Sequence, residues 1–284
     1  MRRAAAVAVA VAVMLGLGGM PVAAATCFDG QLPAAPWAEA AAQAAVRLVA
    51  ALPDGRPFAR ASGMVVAGSG QPNRIITAAH VARTLQEQRG AWLAVYSSRG
   101  QYLGRATLAA QAAPGPAFGL VGAGAIGLRF GDAAVLRMAG FSPEGAAAYA
   151  AIAGVRLGAH QPRGLLKGVF SVPAGVDHGV SGSGVVADGA IVGVMAFKGL
   201  DPTMPAVPVR GGDDSAWAGP PRSIRLPRQS VGYAQPVIDT AILAGLGAAG
   251  QVVGGARTGG PLNVFVPGYV QGACVGFRAS MGPA

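Results

Sequence analysis

The sequence predicts an all-β fold of two antiparallel β-barrels packed face to face, with a short helix near the C-terminus. Three observations support this prediction. The 284 residues include 45 glycines and 21 prolines, which favour many short strands and turns over long helices. Apolar strand-like segments recur roughly every 8–12 residues and do not alternate with helices. Hydrophobic residues make up 52% of the chain, enough to build a core in each barrel.

The predicted N-terminal barrel covers residues 26–140. The alanine-rich stretch 36–44 predicts a short helix, and the Pro/Gly-rich sequence at 53–57 predicts a turn after the first strand. Residues 114–129 are rich in glycine and alanine, which predicts an irregular loop. One helical turn is expected at His80. The predicted strands are residues 45–52, 61–67, 74–79, 91–96, 102–110 and 131–138.

The predicted C-terminal barrel covers residues 141–250 and begins with a loose stretch near residues 140–147. Residues 199–230 are rich in proline, glycine and arginine and predict one long loop, and residues 237–246 predict a helix. The predicted strands are residues 155–157, 166–172, 184–186, 191–197 and 231–234. Beyond this barrel we expect a C-terminal extension, residues 251–284, with strand-like segments at 262–266 and 269–277.

Residues 1–25 have the pattern of a secretory signal peptide. Arg2 and Arg3 give the positive start, residues 4–17 the apolar core, and residues 23–25 the small-residue cleavage site. The alternative is a retained membrane anchor, which the shortness of the apolar core disfavours. We therefore expect an exported bacterial protein, periplasmic or extracellular, without stable membrane insertion after signal cleavage.

The chain has two cysteines, Cys27 and Cys274, one near each end of the exported part. Export would place them in an oxidising environment, which favours a disulfide between them. Two unpaired buried thiols are the alternative. A disulfide would join the two ends of the exported chain.

The composition disfavours several classes of function. The formal net charge is +10, but the arginines are scattered and are not interleaved with aromatic residues, so we expect no nucleic-acid partner. No Cys/His cluster has the spacing of a zinc site. No glycine-rich loop is followed by Lys and Ser or Thr. We therefore predict neither a metal nor another cofactor.

Residues 178–184 (HGVSGSG), followed by an apolar run to residue 197, are the strongest sign of chemistry. Ser181 lies among glycines that permit a tight turn, in which successive N–H groups point into one small volume. A nucleophilic serine needs such a volume for the oxyanion that forms during its attack on a carbonyl. The Asp-Gly step at 188–189 predicts a hairpin directly behind this turn.

A serine hydroxyl needs a base, and the base needs an anion that orients it. The chain has three histidines, at positions 80, 160 and 178. His80 closes a strand in the sequence TAAH, and Asp132 opens a later strand after a glycine. We interpret His160, beside Gln-Pro, as a surface-turn residue. His178, with Asp177, either lines the mouth of the pocket or belongs to a solvated loop, and we favour the loop.

These residues resemble the trypsin-like serine proteases of the double β-barrel fold, in particular their small secreted bacterial members. The resemblance covers roughly residues 45–246. It rests on residues 62–66 (SGMVV), 75–80 (IITAAH), 132–136 (DAAVL) and 179–183 (GVSGS). Residues 233–237 (YAQPV), with the helix that follows, resemble the end of the second barrel in the bacterial stress-protease branch.

The resemblance implies a catalytic triad of His80 as general base, Asp132 as its orienting carboxylate and Ser181 as nucleophile. The backbone N–H groups of Gly179 and Ser181 would form the oxyanion hole, in the cleft between the barrels. The alternatives are a structural role for His80 and a turn-capping role for Asp132. Val180 stands where chymotrypsin-like members usually carry an aspartate that pairs with a newly cut N-terminus, so that type of activation is not expected.

The resemblance also implies a substrate pocket with Gly175 at its base and Ala196, Phe197 and Lys198 along the substrate-binding strand. A glycine base carries no charge, which disfavours a pocket for lysine or arginine and favours a small or apolar residue at the cleaved bond. Lys198 would either attract an acidic side chain or narrow the pocket.

The sequence therefore predicts a secreted serine endopeptidase that hydrolyses protein or peptide substrates through an acyl-enzyme on Ser181. One alternative is a non-catalytic envelope protein of the same fold, whose cleft or 199–230 loop binds a partner. Another is a structural cell-surface module held together by the disulfide, which would leave the three polar residues unexplained.

Overall fold

The described part of the chain contains two β-sheets, four short α-helices and one 3-10 turn at Asp29–Gln31. The structure, a computed structural model, describes residues 26–67, 74–113, 131–161, 170–172, 176–199, 208–211, 222–225, 231–247, 251–258 and 262–281. The predicted signal peptide, the predicted loop at 114–129 and Gly175 lie outside the described residues. The prediction of an all-β fold is confirmed.

The first sheet is a closed antiparallel barrel of six strands in the order β1-β2-β3-β6-β5-β4. Its strands are β1 Ala45–Ala51, β2 Pro57–Val66, β3 Arg74–Thr77, β4 Trp92–Tyr96, β5 Tyr102–Gln111 and β6 Ala134–Phe141. The barrel interior is filled by fully buried apolar side chains, among them Leu48, Ile75, Leu93 and Leu136. Close packing of such side chains holds the strands in register.

The second sheet contains ten strands. They are β7 Arg156–Gln161, β8 Phe170–Val172, β9 Gly184–Ala187, β10 Ala190–Gly199, β11 Pro208–Gly211, β12 Arg222–Arg225, β13 Val231–Pro236, β14 Val252–Thr258, β15 Leu262–Val270 and β16 Ala273–Met281. Its main path runs β12-β11-β16-β15-β9-β10-β13-β8, and β7 pairs in parallel with β10 and β14. Among the described strands this path is open, whereas the sequence analysis expects a second closed barrel.

The helices are short and lie at the ends of strands. They are α1 Ala38–Ala44, α2 Ala79–Glu87, α3 Gly145–Ala150 and α4 Thr240–Leu246. Helix α2 extends for nine residues where the sequence predicts one turn, and α3 forms within the stretch predicted to be loose. Helix α4 begins after Asp239, whose carboxylate accepts hydrogen bonds from the N–H groups of Ala241 and Ile242 and so caps the helix.

The C-terminal segment belongs to the middle of the second sheet. Strand β15 pairs with both β16 and β9, and it also contacts β1 and β2 of the barrel. A tight turn at Gln271 and Gly272, both with positive φ, joins β15 to β16. Strand β14 was not predicted. The prediction of a single loop over residues 199–230 is wrong, because β11 and β12 form a hairpin within it.

A disulfide joins Cys27 to Cys274, with their Cα atoms 5.9 Å apart. It fastens the start of the described chain to strand β16, as the sequence analysis expects. Beside it the ring of Phe28 packs against that of Tyr269, with centroids 5.6 Å apart. No helix in the described ranges is long and apolar enough to cross a bilayer.

Candidate active site

His80 and Asp132 meet because the strands next to them are neighbours in the barrel. Strand β3 ends at Thr77, three residues before His80, and Thr77 pairs with Ala134 at the start of β6. His80 Nδ1 lies 2.5 Å from Asp132 Oδ2, and the His80 backbone N–H donates to Asp132 Oδ1 at 2.8 Å. Because a carboxylate can only accept, Nδ1 carries the proton and Nε2 is left as the basic nitrogen.

A third donor reaches the same carboxylate. Arg83 Nη2 donates to Asp132 Oδ1 at 3.0 Å from its position one turn after His80 on α2. The Asp132 side chain is only 6% exposed, whereas those of His80 and Arg83 are 38% and 39% exposed. Sequence reasoning missed Arg83, because one helical turn at His80 does not extend to position 83.

Ser181 lies in the turn between β8 and β9, where some backbone N–H groups are hydrogen-bonded and others are not. The N–H groups of Val180, Gly182 and Ser183 donate to backbone carbonyl oxygens. Within the described part of the chain, the N–H groups of Gly179 and Ser181 donate no hydrogen bond. Two backbone donors next to the Ser181 hydroxyl are therefore available for another acceptor, as an oxyanion hole requires.

We call the turn that contains Ser181, residues 177–183, the serine turn. It packs directly against the barrel strands that lead to His80. The N–H of Ser62 on β2 donates to the carbonyl oxygen of Ser181 at 2.8 Å. Gly182 has φ +87°, and a Cβ there would overlap the Ser62 carbonyl oxygen and Thr77 Oγ1. Only glycine allows this approach, which sets the turn of the second sheet against the first barrel.

His80 and Ser181 line the same cavity, whose volume is about 170 Å³. Its apolar wall comes from the barrel and from α2: Leu48, Ala50, Ala59, Ala61, Val81 and Leu93. Binding sites for drug-sized ligands measure roughly 300–1,000 Å³, so this cavity is suited to one side chain rather than a whole ligand. Arg60 and His178, both exposed, also line it.

No family model matches this chain, and no curated protein does. Among solved structures, the chain is similar to the Rv3671c protease from M. tuberculosis in its active form. The identity is 15% and the TM-score 0.25, over 87% of this chain and 80% of that one. A likeness at this level supports no conclusion about activity.

The remaining predicted substrate residues are described only in part. Ala196 is buried in β10, whose residues Phe197 and Lys198 pair with Tyr233 and Gly232 of β13. The side chains of Phe197 and Lys198 lie outside the described set, so the predicted pocket strand is placed by its backbone alone. Within the described ranges, no three or more His, Cys, Asp or Glu side chains cluster to hold a metal ion.

The predictions for the other two histidines, His160 and His178, have different outcomes. His160 is buried in β7, where it pairs with Arg257 of β14, so its prediction as a surface-turn residue is wrong. The Gln-Pro step predicts a turn where β7 continues as a strand to Gln161, paired with the unpredicted β14. His178 is exposed in the serine turn, and the Asp177 carboxylate accepts a hydrogen bond from its backbone N–H at 2.7 Å. That placement agrees with a loop residue, one that also borders the cavity.

Proposed function

We propose that the protein is an exported serine endopeptidase that cleaves peptide bonds through an acyl-enzyme on Ser181. The observation that carries this proposal is the common cavity lined by Ser181 and by His80, whose ring is held by Asp132. The two unpaired N–H groups of Gly179 and Ser181 support it. The disulfide between Cys27 and Cys274 supports export, since such bonds persist in oxidising compartments.

The proposed reaction has two halves, acylation of Ser181 and hydrolysis of the acyl-enzyme. Ser181 Oγ bonds to the scissile carbonyl carbon while its proton passes to His80 Nε2, and the N–H groups of Gly179 and Ser181 stabilise the oxyanion. His80 then gives that proton to the leaving amine as the C–N bond breaks. In the second half a water molecule, deprotonated by His80, attacks the acyl-enzyme, and the proton returns to Ser181 as the acid product leaves. Asp132 stabilises the imidazolium in both halves.

Covalent labelling tests this proposal directly. A fluorophosphonate probe reacts with an activated serine, whose oxygen bonds to phosphorus as fluoride leaves. We expect the probe on Ser181 by peptide mapping of the folded protein, and no labelling of Ser181→Ala. Ser183→Ala is the matched control, because this buried hydroxyl two residues away has no partner among the described residues. A folded protein that stays unlabelled contradicts the proposal and favours the non-catalytic binding protein of the same fold.

The cavity supports a preference for an apolar side chain next to the cleaved bond. Burying a valine- or leucine-sized side chain contributes about 1.5–3 kcal/mol. We therefore expect kcat/KM for peptides with such residues to exceed that of polar counterparts by about 10–100-fold. The cationic side chain of Arg60 at the cavity disfavours substrates with arginine or lysine there. Profiling with a peptide library varied on both sides of the cleaved bond measures this preference, and equal cleavage of peptides with apolar, arginine and polar residues at both positions contradicts it.

A further inference from the structure

Ser62 is fully buried in barrel strand β2, yet among the described residues its hydroxyl bonds only to groups of the second sheet and the serine turn. Ser62 Oγ donates to the carbonyl oxygen of Gly179 at 2.7 Å and accepts from the N–H of Tyr269 at 3.0 Å. The backbone of Ser62 adds the hydrogen bond from its N–H to the carbonyl oxygen of Ser181. No step of the proposed reaction uses the Ser62 hydroxyl, so its position needs another explanation.

The hydroxyl connects two segments that lie far apart in sequence. Tyr269 is on β15, opposite Cys274 of β16, which carries the disulfide. Its backbone N–H therefore belongs to a hairpin that the disulfide ties to the start of the described chain. Burial raises the pKa of the Tyr269 hydroxyl, so this side chain is neutral. The Ser62 hydroxyl therefore links this hairpin to the serine turn through two consecutive hydrogen bonds. Consecutive hydrogen bonds polarise and strengthen one another.

The peptide group that the Ser62 hydroxyl holds lies between the backbone N–H groups of Gly179 and Ser181. The Gly179 carbonyl belongs to the peptide between residues 179 and 180, which links the N–H of Gly179 to that of Ser181. Gly179 has φ +105°, a conformation with little intrinsic restraint in glycine. Rotation of this peptide would turn the two N–H groups away from a common point. The Ser62 hydroxyl is the side-chain contact that opposes this rotation.

We propose that Ser62 is a positioning residue: its hydroxyl fixes the 179–180 peptide so that the N–H groups of Gly179 and Ser181 converge on the oxyanion. This inference rests on the proposed function. The oxyanion exists in the transition state and not in the bound substrate. Weaker stabilisation of the oxyanion therefore lowers kcat and leaves substrate binding unchanged.

The test compares Ser62→Ala with the wild-type protein. Removal of one whole oxyanion donor costs about 10²–10³-fold in kcat, and misplacing a donor costs less. We expect Ser62→Ala to lower kcat about 10–100-fold while KM changes less than about twofold. A peptide boronate, which mimics the tetrahedral intermediate, is expected to bind more weakly by the same factor. A purely structural role for Ser62 would not produce this split.

Thr77→Val is the matched control for a general loss of hydrogen bonding. Thr77 Oγ1 donates to the Ser62 carbonyl oxygen at 2.8 Å, so this variant removes one buried bond to the same residue and leaves its hydroxyl intact. We expect lower stability and a near wild-type kcat. If Ser62→Ala shows no cooperative unfolding transition, Ser62→Cys replaces it, since a thiol is similar in size and a weak donor.

The outcomes separate the two proposals. A wild-type protein in which Ser181 takes no fluorophosphonate contradicts the proposed function. An active wild type whose Ser62→Ala variant keeps kcat within twofold, or loses no more kcat than Thr77→Val, overturns the role of Ser62 alone.

Discussion

Replacement of His80 by alanine is expected to lower kcat for peptide hydrolysis about a million-fold, and Asp132→Asn about ten-thousand-fold. Without the imidazole, Ser181 has no base to take its proton. Asparagine at position 132 keeps the side-chain shape but can turn its amide N–H₂ toward His80 Nδ1. The ring proton then moves to Nε2, which can no longer accept from Ser181. Both values are measured as single-turnover rates on a fluorogenic peptide.

Arg83→Met provides the contrast for this prediction. It removes one of three donors to Asp132 and leaves both donors of His80 in place. The Arg83 side chain is 39% exposed, and solvent screening at its end of the pair limits its contribution to about 1 kcal/mol, so we expect kcat to fall about fivefold at most. Equal losses in Arg83→Met and Asp132→Asn would show that the carboxylate does not act through the ring of His80. Cooperative thermal unfolding of each variant verifies that it is folded.

Local sequence patterns predict the parts of the site that depend on short segments. The apolar runs around His80 and Asp132 form β3 and β6, and these strands pair, so the two side chains meet. The Asp-Gly step at 188–189 produces the predicted hairpin, with φ 48° and 79° at its two residues. In both places the turn chemistry and the apolar pattern agree, and such agreement makes a local prediction dependable.

Long-range pairings were beyond the reach of those patterns. Strand β15 lies between β9 and β16, and the hydrogen bond from Tyr269 to Ser62 spans 207 residues. Which strands pair with one another depends on packing on both faces of the sheet rather than on the sequence of each strand by itself. For the same reason, the pairing of β7 with β14, which makes His160 a strand residue, could not be predicted. Arg83 was missed at shorter range, because α2 begins after Ala78 with no side-chain cap that would predict a helix reaching position 83.

Removal of the disulfide is expected to cause the largest loss of stability. Cys27 and Cys274 are 247 residues apart, so their bond closes almost all of the chain that follows the predicted signal peptide into one loop. For a loop this long, the chain-entropy estimate of the stabilisation is about 5 kcal/mol. Domains of this kind have unfolding free energies of about 5–15 kcal/mol, so the bond supplies a large fraction of the total. We expect Cys27→Ala/Cys274→Ala to lose about 4–5 kcal/mol in urea unfolding.

Reduction of the native protein provides an independent measurement of the stability that the disulfide contributes. Dithiothreitol is expected to lower the urea midpoint of the wild-type protein to that of the double variant, and to leave the variant unchanged. Cys274 lies opposite Tyr269, so the bond also restrains the hairpin that supplies the N–H group to Ser62. If the loss is below about 1 kcal/mol, loop closure is not what stabilises the protein, and packing of β15 against β9 and the barrel is sufficient to hold the hairpin.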